Sequence, residues 1–183
     1  DYVSSRFGKH EWHDSRYWYH SKHGFALDAS GIVAFESARL IGAVKGTAKK
    51  CVVIDLDNTL WGGVIADDGI EGIQLGDGVN GEAFADFQRY LLDLKNRGVI
   101  LAVCSKNEDE HARVPFLSHP DMLIKLEDIS VFIANWNDKA SNIEEIAETL
   151  NIGLDSVVFV DDNPAERALV KNFLPMVSVP ELP

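Results

Sequence analysis

Cys51-Val52-Val53-Ile54-Asp55-Leu56-Asp57-Asn58-Thr59, residues 51–59, joins four apolar, mostly β-branched positions directly to two carboxylates and a hydroxyl. So short an apolar run without alternation is how a strand covered on both faces reads, and it predicts a parallel sheet between helix layers. Carboxylates placed just after such a strand fall at the carboxyl edge of the sheet, where open α/β folds collect their ligands.

Working outward, similar runs predict strands over Val99–Val103, Val131–Ala134 and Val157–Val160, with a last short one at Met176–Val179. Between them, Phe84, Phe87, Leu91 and Leu94 share one helical face, with Gly98 as the stop. Glu108–Phe116 predicts a short helix broken near Pro115, with Glu108-Asp109-Glu110 as an acidic first turn. Ser141–Leu150 and Ala165–Asn172 complete the helices. From Trp61 to Leu75 the glycines and Asp67-Asp68-Gly69 punctuate Val64, Ile65, Ile70 and Ile73, which predicts a hairpin flap. Strands alternating with amphipathic helices give an α/β fold, a doubly wound parallel sheet with helices on both faces.

Upstream, Arg6–Gly24 is aromatic and His-rich without a period, and predicts an irregular segment packing through Trp12, Tyr17, Trp18 and Tyr19. Asp28 or Ser30 caps a helix with Ile32, Val33, Phe35, Leu40, Ile41 and Val44 on its apolar face, closed by Gly46. Residues 1–50 carry 8 basic and 5 acidic side chains against 9 and 24 in the remainder. That shift divides residues 1–49, a segment with one helix expected to be the tail of a preceding domain, from a catalytic domain over 50–183. A first residue of Asp1 fits a piece of a longer chain.

The whole chain of 183 residues has 17 Lys+Arg and 29 Asp+Glu, a net charge of −12, which argues against nucleic acid as a partner. No apolar run approaches the roughly 18 residues of a membrane span, and no signal peptide opens the chain. Cys51 and Cys104 both lie in apolar runs, which reads as a reducing, cytoplasmic setting. His10 and His13, like His20 and His23, lack the accompanying cysteines of a zinc site and read as packing residues.

Four places meet at the predicted sheet edge: Asp55 to Thr59, Ser105-Lys106-Asn107, Lys139, and Asp161-Asp162-Asn163. So many carboxylates cannot stay ionised together without a cation, and hard oxygen donors suit Mg²⁺ rather than zinc. Trp61 and Trp136 flank the same edge, either lining the substrate mouth or closing the core.

These residues resemble the motifs of the haloacid dehalogenase (HAD) superfamily. Asp55-Leu56-Asp57-Asn58-Thr59 matches its DxDxT signature, with Ser105, Lys139 and Asp161-Asp162 where its later motifs belong. The resemblance implies a HAD-like Rossmannoid core in which Asp55 is the nucleophile toward phosphorus and Asp57 the general acid and base. It also implies that Ser105 and Lys139 hold phosphoryl oxygens, helped by Lys106, Asn107, Thr59 and Trp61 around them. Mg²⁺ would rest on Asp55, the Asp57 backbone carbonyl and Asp161, with Asp162 on Lys139 or a metal water. Only 48 positions separate Asp57 from Ser105 and 22 separate Lys139 from Asp161, leaving no room for a large cap domain.

A closer likeness joins Asp57–Val64, Val103–Asn107, Asn135–Lys139 and Phe159–Glu166, with Trp18–Lys22 upstream and Val179–Pro183 downstream. These runs resemble the FkbH-like branch, which serves polyketide biosynthesis. The resemblance implies transfer of a glyceryl unit from 1,3-bisphosphoglycerate to an acyl carrier protein with loss of phosphate. It assigns Cys104, just before Ser105, the task of carrying the acyl group as a thioester. An uncapped HAD phosphatase acting on a phosphoprotein or a small phosphate monoester is the alternative, and it has no use for Cys104.

Overall fold

The structure, a computed structural model, describes residues 2–46 and 48–182. Pro183, quoted with the tail motif, lies outside the described residues. The chain divides into two units, Asp1–Ala48 and Lys49–Pro183.

The first unit is helical where an irregular segment was expected. Helices α1 (Tyr2–Phe7), α2 (Lys9–Trp12) and α3 (Ser15–Ser21) precede α4 (Ser30–Val44). The reason lies in capping, since these helices are too short to show a period. Asp14 accepts the Arg16 amide at 3.0 Å to start α3, and Lys22, left-handed at φ 56°, ends it. Trp12 stacks on Phe25 with centroids 5.5 Å apart, while Trp18 and Tyr19 stay exposed.

In the second unit the order is β1 (Cys51–Ile54), α5 (Ile65–Gly72), α6 (Val79–Asn96), β2 (Ile100–Ser105), α7 (Asp109–Ser118), β3 (Ile129–Ala134), α8 (Lys139–Thr149), β4 (Val157–Val160) and α9 (Pro164–Phe173). All strands are parallel, in the order β3-β2-β1-β4. This is the α/β sheet expected from the sequence, with no large cap inserted. Alternation decides which layer each strand residue faces. Val52, Ile54, Leu101 and Val103 pack with Ile65, Leu91, Ala112 and Phe116 on one side. Cys51, Val53, Ala102 and Cys104 pack with Ala140, Ile143, Ile146 and Val170 on the other. Among the described residues, no helix is long and apolar enough to cross a membrane.

Three local expectations are corrected. The flap is closed as a hairpin would be, by paired bonds between Gly62 and Gln74 at 3.0 and 2.8 Å, but its span is the helix α5. Helix wins because Asp68 accepts the Val64 amide at 2.7 Å and Asp57 accepts that of Ile65 at 2.9 Å, satisfying N–H groups that a strand would have paired. Gly62 is needed at the closure, since a Cβ there would meet the Phe84 ring at 2.7 Å. Pro115 does not break α7, which continues to Ser118 with Pro115 buried. Met176–Val179 makes a single bridge, Val158 with Ser178, rather than a strand.

Gln88, on the inner face of α6, is fully buried and escaped the apolar pattern. Its amide donates to the Leu60 carbonyl at 3.0 Å and accepts from the amides of Leu123 and Ile124 at 2.9 and 3.3 Å. It thereby ties the turn after β1 to the loop before β3.

Candidate active site

The sheet order places β1 and β4 side by side although the chain first builds β2 and β3 on the opposite flank of β1. This is the topological switch point of the fold, and the residues following the two strands meet there. The Asp55 amide extends the ladder, donating to the Val160 carbonyl at 2.9 Å. Asp55 and Asp161, one residue beyond each strand, therefore stand next to each other.

Lys139, at the start of α8, reaches between them. Its Nζ lies 2.9 Å from Asp55 Oδ1 and 2.6 Å from Asp161 Oδ2. Asp138 places it there by capping α8, accepting the Ser141 amide at 2.9 Å. Asp162 completes the group: one carboxylate oxygen each from Asp55, Asp161 and Asp162 lies within 4.8 Å of the others. Three carboxylates share one ammonium, so the set carries excess negative charge on hard oxygen donors, which fits a divalent cation.

The electrostatics follow from burial. Desolvation pushes Asp55 up to about 6, although Lys139 pulls in the opposite direction. Burial alone would lower Lys139, but the charges of Asp55 and Asp161 prevail and hold it above its ordinary value. Asp162 is raised, first by burial and then by the charge of Asp161. A carboxyl whose folded pKa is raised adds stability below its unfolded value, and this is lost as pH rises through the folded value. Asp55, moving from 3.8 to about 6, should thus cost the metal-free protein about 3 kcal/mol across that window. Urea unfolding in chelator at about pH 4 and about pH 7 checks this, the slope shrinking in Asp55→Asn.

Around these groups lies an open cleft of about 330 Å³ lined by Asp55, Asp57, Asn58, Ser105, Lys106, Lys139, Asp162, Asn163, Pro164 and Glu166. Ser105 and Lys106 thus reach the cleft as expected, and Lys106 Nζ pairs with Glu166 at 2.6 Å across its wall. Thr59, Trp61 and Asn107, expected among the substrate contacts, are buried and lie behind it. Thr59 Oγ1 accepts the Asp162 amide at 3.0 Å, fixing the last carboxylate of the trio. Trp61 is 0% exposed and closes the core edge-on against Phe116, its indole donating to Asp57 Oδ1 at 3.0 Å. Asn107 donates to Asp57 Oδ2 at 2.7 Å. The Asp57 side chain is committed to these donors and is not one of the three clustered carboxylates. Trp136 is exposed, and its indole donates to Glu108 at 2.8 Å.

Cys104 is also placed otherwise than expected: it packs in the layer beneath α8, 0% exposed, with its sulfur 3.9 Å from the Lys139 carbonyl. Burial pushes its thiol up to about 12. So placed, it packs as a buried, neutral thiol. Cys51 is likewise a buried free thiol.

Arg167, on α9, was not foreseen. Its Nη1 donates to the backbone carbonyls of Asp161 and Asp162 at 2.9 and 2.6 Å, and its Nη2 pairs with Glu181 at 3.1 Å. It braces the loop that carries both carboxylates. A helix-borne arginine five residues beyond an acidic pair is the available signal, but its target is backbone, which no sequence pattern reveals.

No protein-family model matches the chain, and a search of curated proteins returned no match. Among solved structures, the chain is similar to the N-terminal part of the protein BF1531 from Bacteroides fragilis, which contains a phosphatase domain and is complexed with Mg. Identity is 49% and the TM-score 0.85, over 99% of this chain and 48% of that one, so this chain spans about half the length of that relative. It also shares its fold with the HAD family enzyme BT-2542 from Bacteroides thetaiotaomicron, in complex with magnesium and inorganic phosphate. There the TM-score is 0.50 at 15% identity, covering 74% of this chain and 95% of the other. The second unit thus has the HAD-like fold of that enzyme.

Proposed function

We propose that the second unit is a Mg²⁺-dependent phosphohydrolase that works through a phosphoryl group on Asp55. The observation that carries this is the trio Asp55, Asp161 and Asp162, gathered within 4.8 Å beside a buried lysine that lines an open cleft. The magnesium complex of the BF1531 fragment, similar over nearly the whole of this chain, supports the choice of ion.

Asp55, Asp161 and Asp162 would hold the ion, which supplies charge neutralisation for the incoming phosphate. Asp55, which follows β1 and lies 2.9 Å from Lys139 Nζ, attacks phosphorus. Lys139 offsets the charge that would otherwise repel an anionic substrate from it. Ser105, at the end of β2, offers its hydroxyl to a phosphoryl oxygen. Asp57 gives a proton to the leaving oxygen and takes one back from the water that frees Asp55. Among the described residues of the second unit no cap covers the cleft, which leaves room for a phosphate carried on a large molecule.

Glyceryl transfer from 1,3-bisphosphoglycerate to an acyl carrier protein is the finer form of this reading. Its support is the set of FkbH-like motif runs and the open mouth. Against it stands Cys104, sealed beneath α8 as a neutral thiol. Intact-mass spectrometry after incubation with Mg²⁺ and 1,3-bisphosphoglycerate, on the parent and on Cys104→Ala, decides the matter. With the sulfur where it lies, both should release phosphate equally and neither should gain mass. An adduct on the parent alone establishes the transfer chemistry instead. Absence of chelator-sensitive phosphate release from any phosphate ester would overturn the hydrolase reading.

A further inference from the structure

Both oxygens of the Asp57 carboxylate are held by N–H groups from three different parts of the fold. Oδ1 accepts the Trp61 indole at 3.0 Å and the Ile65 amide at 2.9 Å. Oδ2 accepts the Asn107 side chain at 2.7 Å. Trp61 and Asn107 are buried, and neither lines the cleft, whereas Asp57 does. Trp61 reaches the site through this carboxylate, whereas Asn107 also donates to Ser105 Oγ at 3.3 Å.

Each carboxylate oxygen has two acceptor directions. At Oδ1 both are filled by donors that cannot leave without exposing a buried indole N–H and the first amide of α5. At Oδ2 one is filled and one is open. A proton bound for the cleft therefore has a single place to sit.

We infer that Trp61 is a positioning residue that blocks Oδ1 of Asp57 and so makes Oδ2 the oxygen through which the proton passes. This rests on the phosphohydrolase reading. The proton on Oδ2 moves to the leaving oxygen as its bond to phosphorus breaks and the electron pair stays with that oxygen. The resulting Asp57 carboxylate then takes, again at Oδ2, the proton of the water that attacks the phosphoryl group on Asp55. Because the rotation of Asp57 is already fixed, no reorganisation is needed at the moment of transfer.

The test compares parent, Trp61→Phe, Asp57→Asn and the double variant, each with Mg²⁺, on p-nitrophenyl phosphate and on glycerol phosphate. The first has a leaving group that departs without a proton, and the second does not. Trp61→Phe should lower the single-turnover rate of leaving-group release about 30-fold on glycerol phosphate and no more than about twofold on p-nitrophenyl phosphate, a rate that leaves out the later hydrolysis common to both. Added to Asp57→Asn it should cause no further loss in that rate. An equal fall in release rate on both substrates, or losses that multiply, would mean Trp61 only packs the core. A second measurement stands apart from catalysis and needs no folded Trp61→Phe. The Trp61 indole proton resonance should shift between parent and Asp57→Asn, and an unmoved resonance overturns the inference. If the parent releases phosphate from neither ester, the functional reading falls, and the indole resonance alone decides whether the clamp exists.

Discussion

Asp55→Asn should abolish phosphate release, with kcat falling on the order of 10⁴-fold or more, as when a nucleophile that acts within a unit is removed. The amide is nearly the same size as the carboxyl, so the backbone bond to Val160 and the packing under β1 are retained. What goes is the anion that attacks phosphorus, one of the trio's three ligands and one of the two partners of Lys139. The variant should keep the parent's circular dichroism and bind Mg²⁺ more weakly by calorimetry. It should be no less stable than the parent near neutral pH without metal, because a carboxyl raised to about 6 by burial is ionised there at a cost. Residual turnover near the parent's rate would remove Asp55 from the chemistry.

Lys139→Met should have the larger effect on the fold. The lysine is almost wholly buried and faces both Asp55 and Asp161, so its loss leaves two buried carboxylates without a counter-charge. Breaking one side of such a pair costs about 3–5 kcal/mol. Urea unfolding in chelator at about pH 7 should record that loss. The deficit should shrink as the pH falls toward about 6, because Asp55, no longer held down by Lys139, takes up a proton at higher pH than in the parent and ceases to need a partner. Mg²⁺ should restore part of the stability at neutral pH for the same reason, while phosphate release stays depressed. A deficit independent of both pH and metal would assign Lys139 a packing role instead.

The elements that the sequence revealed best are those whose pattern is purely local. Cys51–Ile54 and Val157–Val160 are strands over the predicted residues, because an apolar β-branched run leaves little other choice. Asp55, Lys139, Asp161 and Asp162 were legible as a group because each follows a strand or opens a helix at one edge. The flap was misread because its helix is stabilised by an amide bond to Asp57, eight residues back, and by Asp68 folding onto Val64, neither of which leaves a periodic trace. Thr59, Trp61 and Asn107 stand near the site, buried and bonded to its acidic residues. Proximity in sequence told that they stood close to the carboxylates, but not that each turned inward to hold one. Cys104 lies in an apolar run, which signals burial, but the helix that seals it, α8, begins 35 residues on at Lys139, so nearness to Ser105 does not decide its exposure.

The adjacency of β1 and β4 has a consequence for how the molecule is made. Val52 and Val158 are direct neighbours in the sheet, yet the whole of the other two strands and their helices lies between them in the chain. Zipping that pair closes a very long loop, and the same event crowds Asp161 and Asp162 against Asp55. Entropic and coulombic opposition thus fall on one step of folding, and a cation present at that moment would speed the closure as well as arm the finished catalyst.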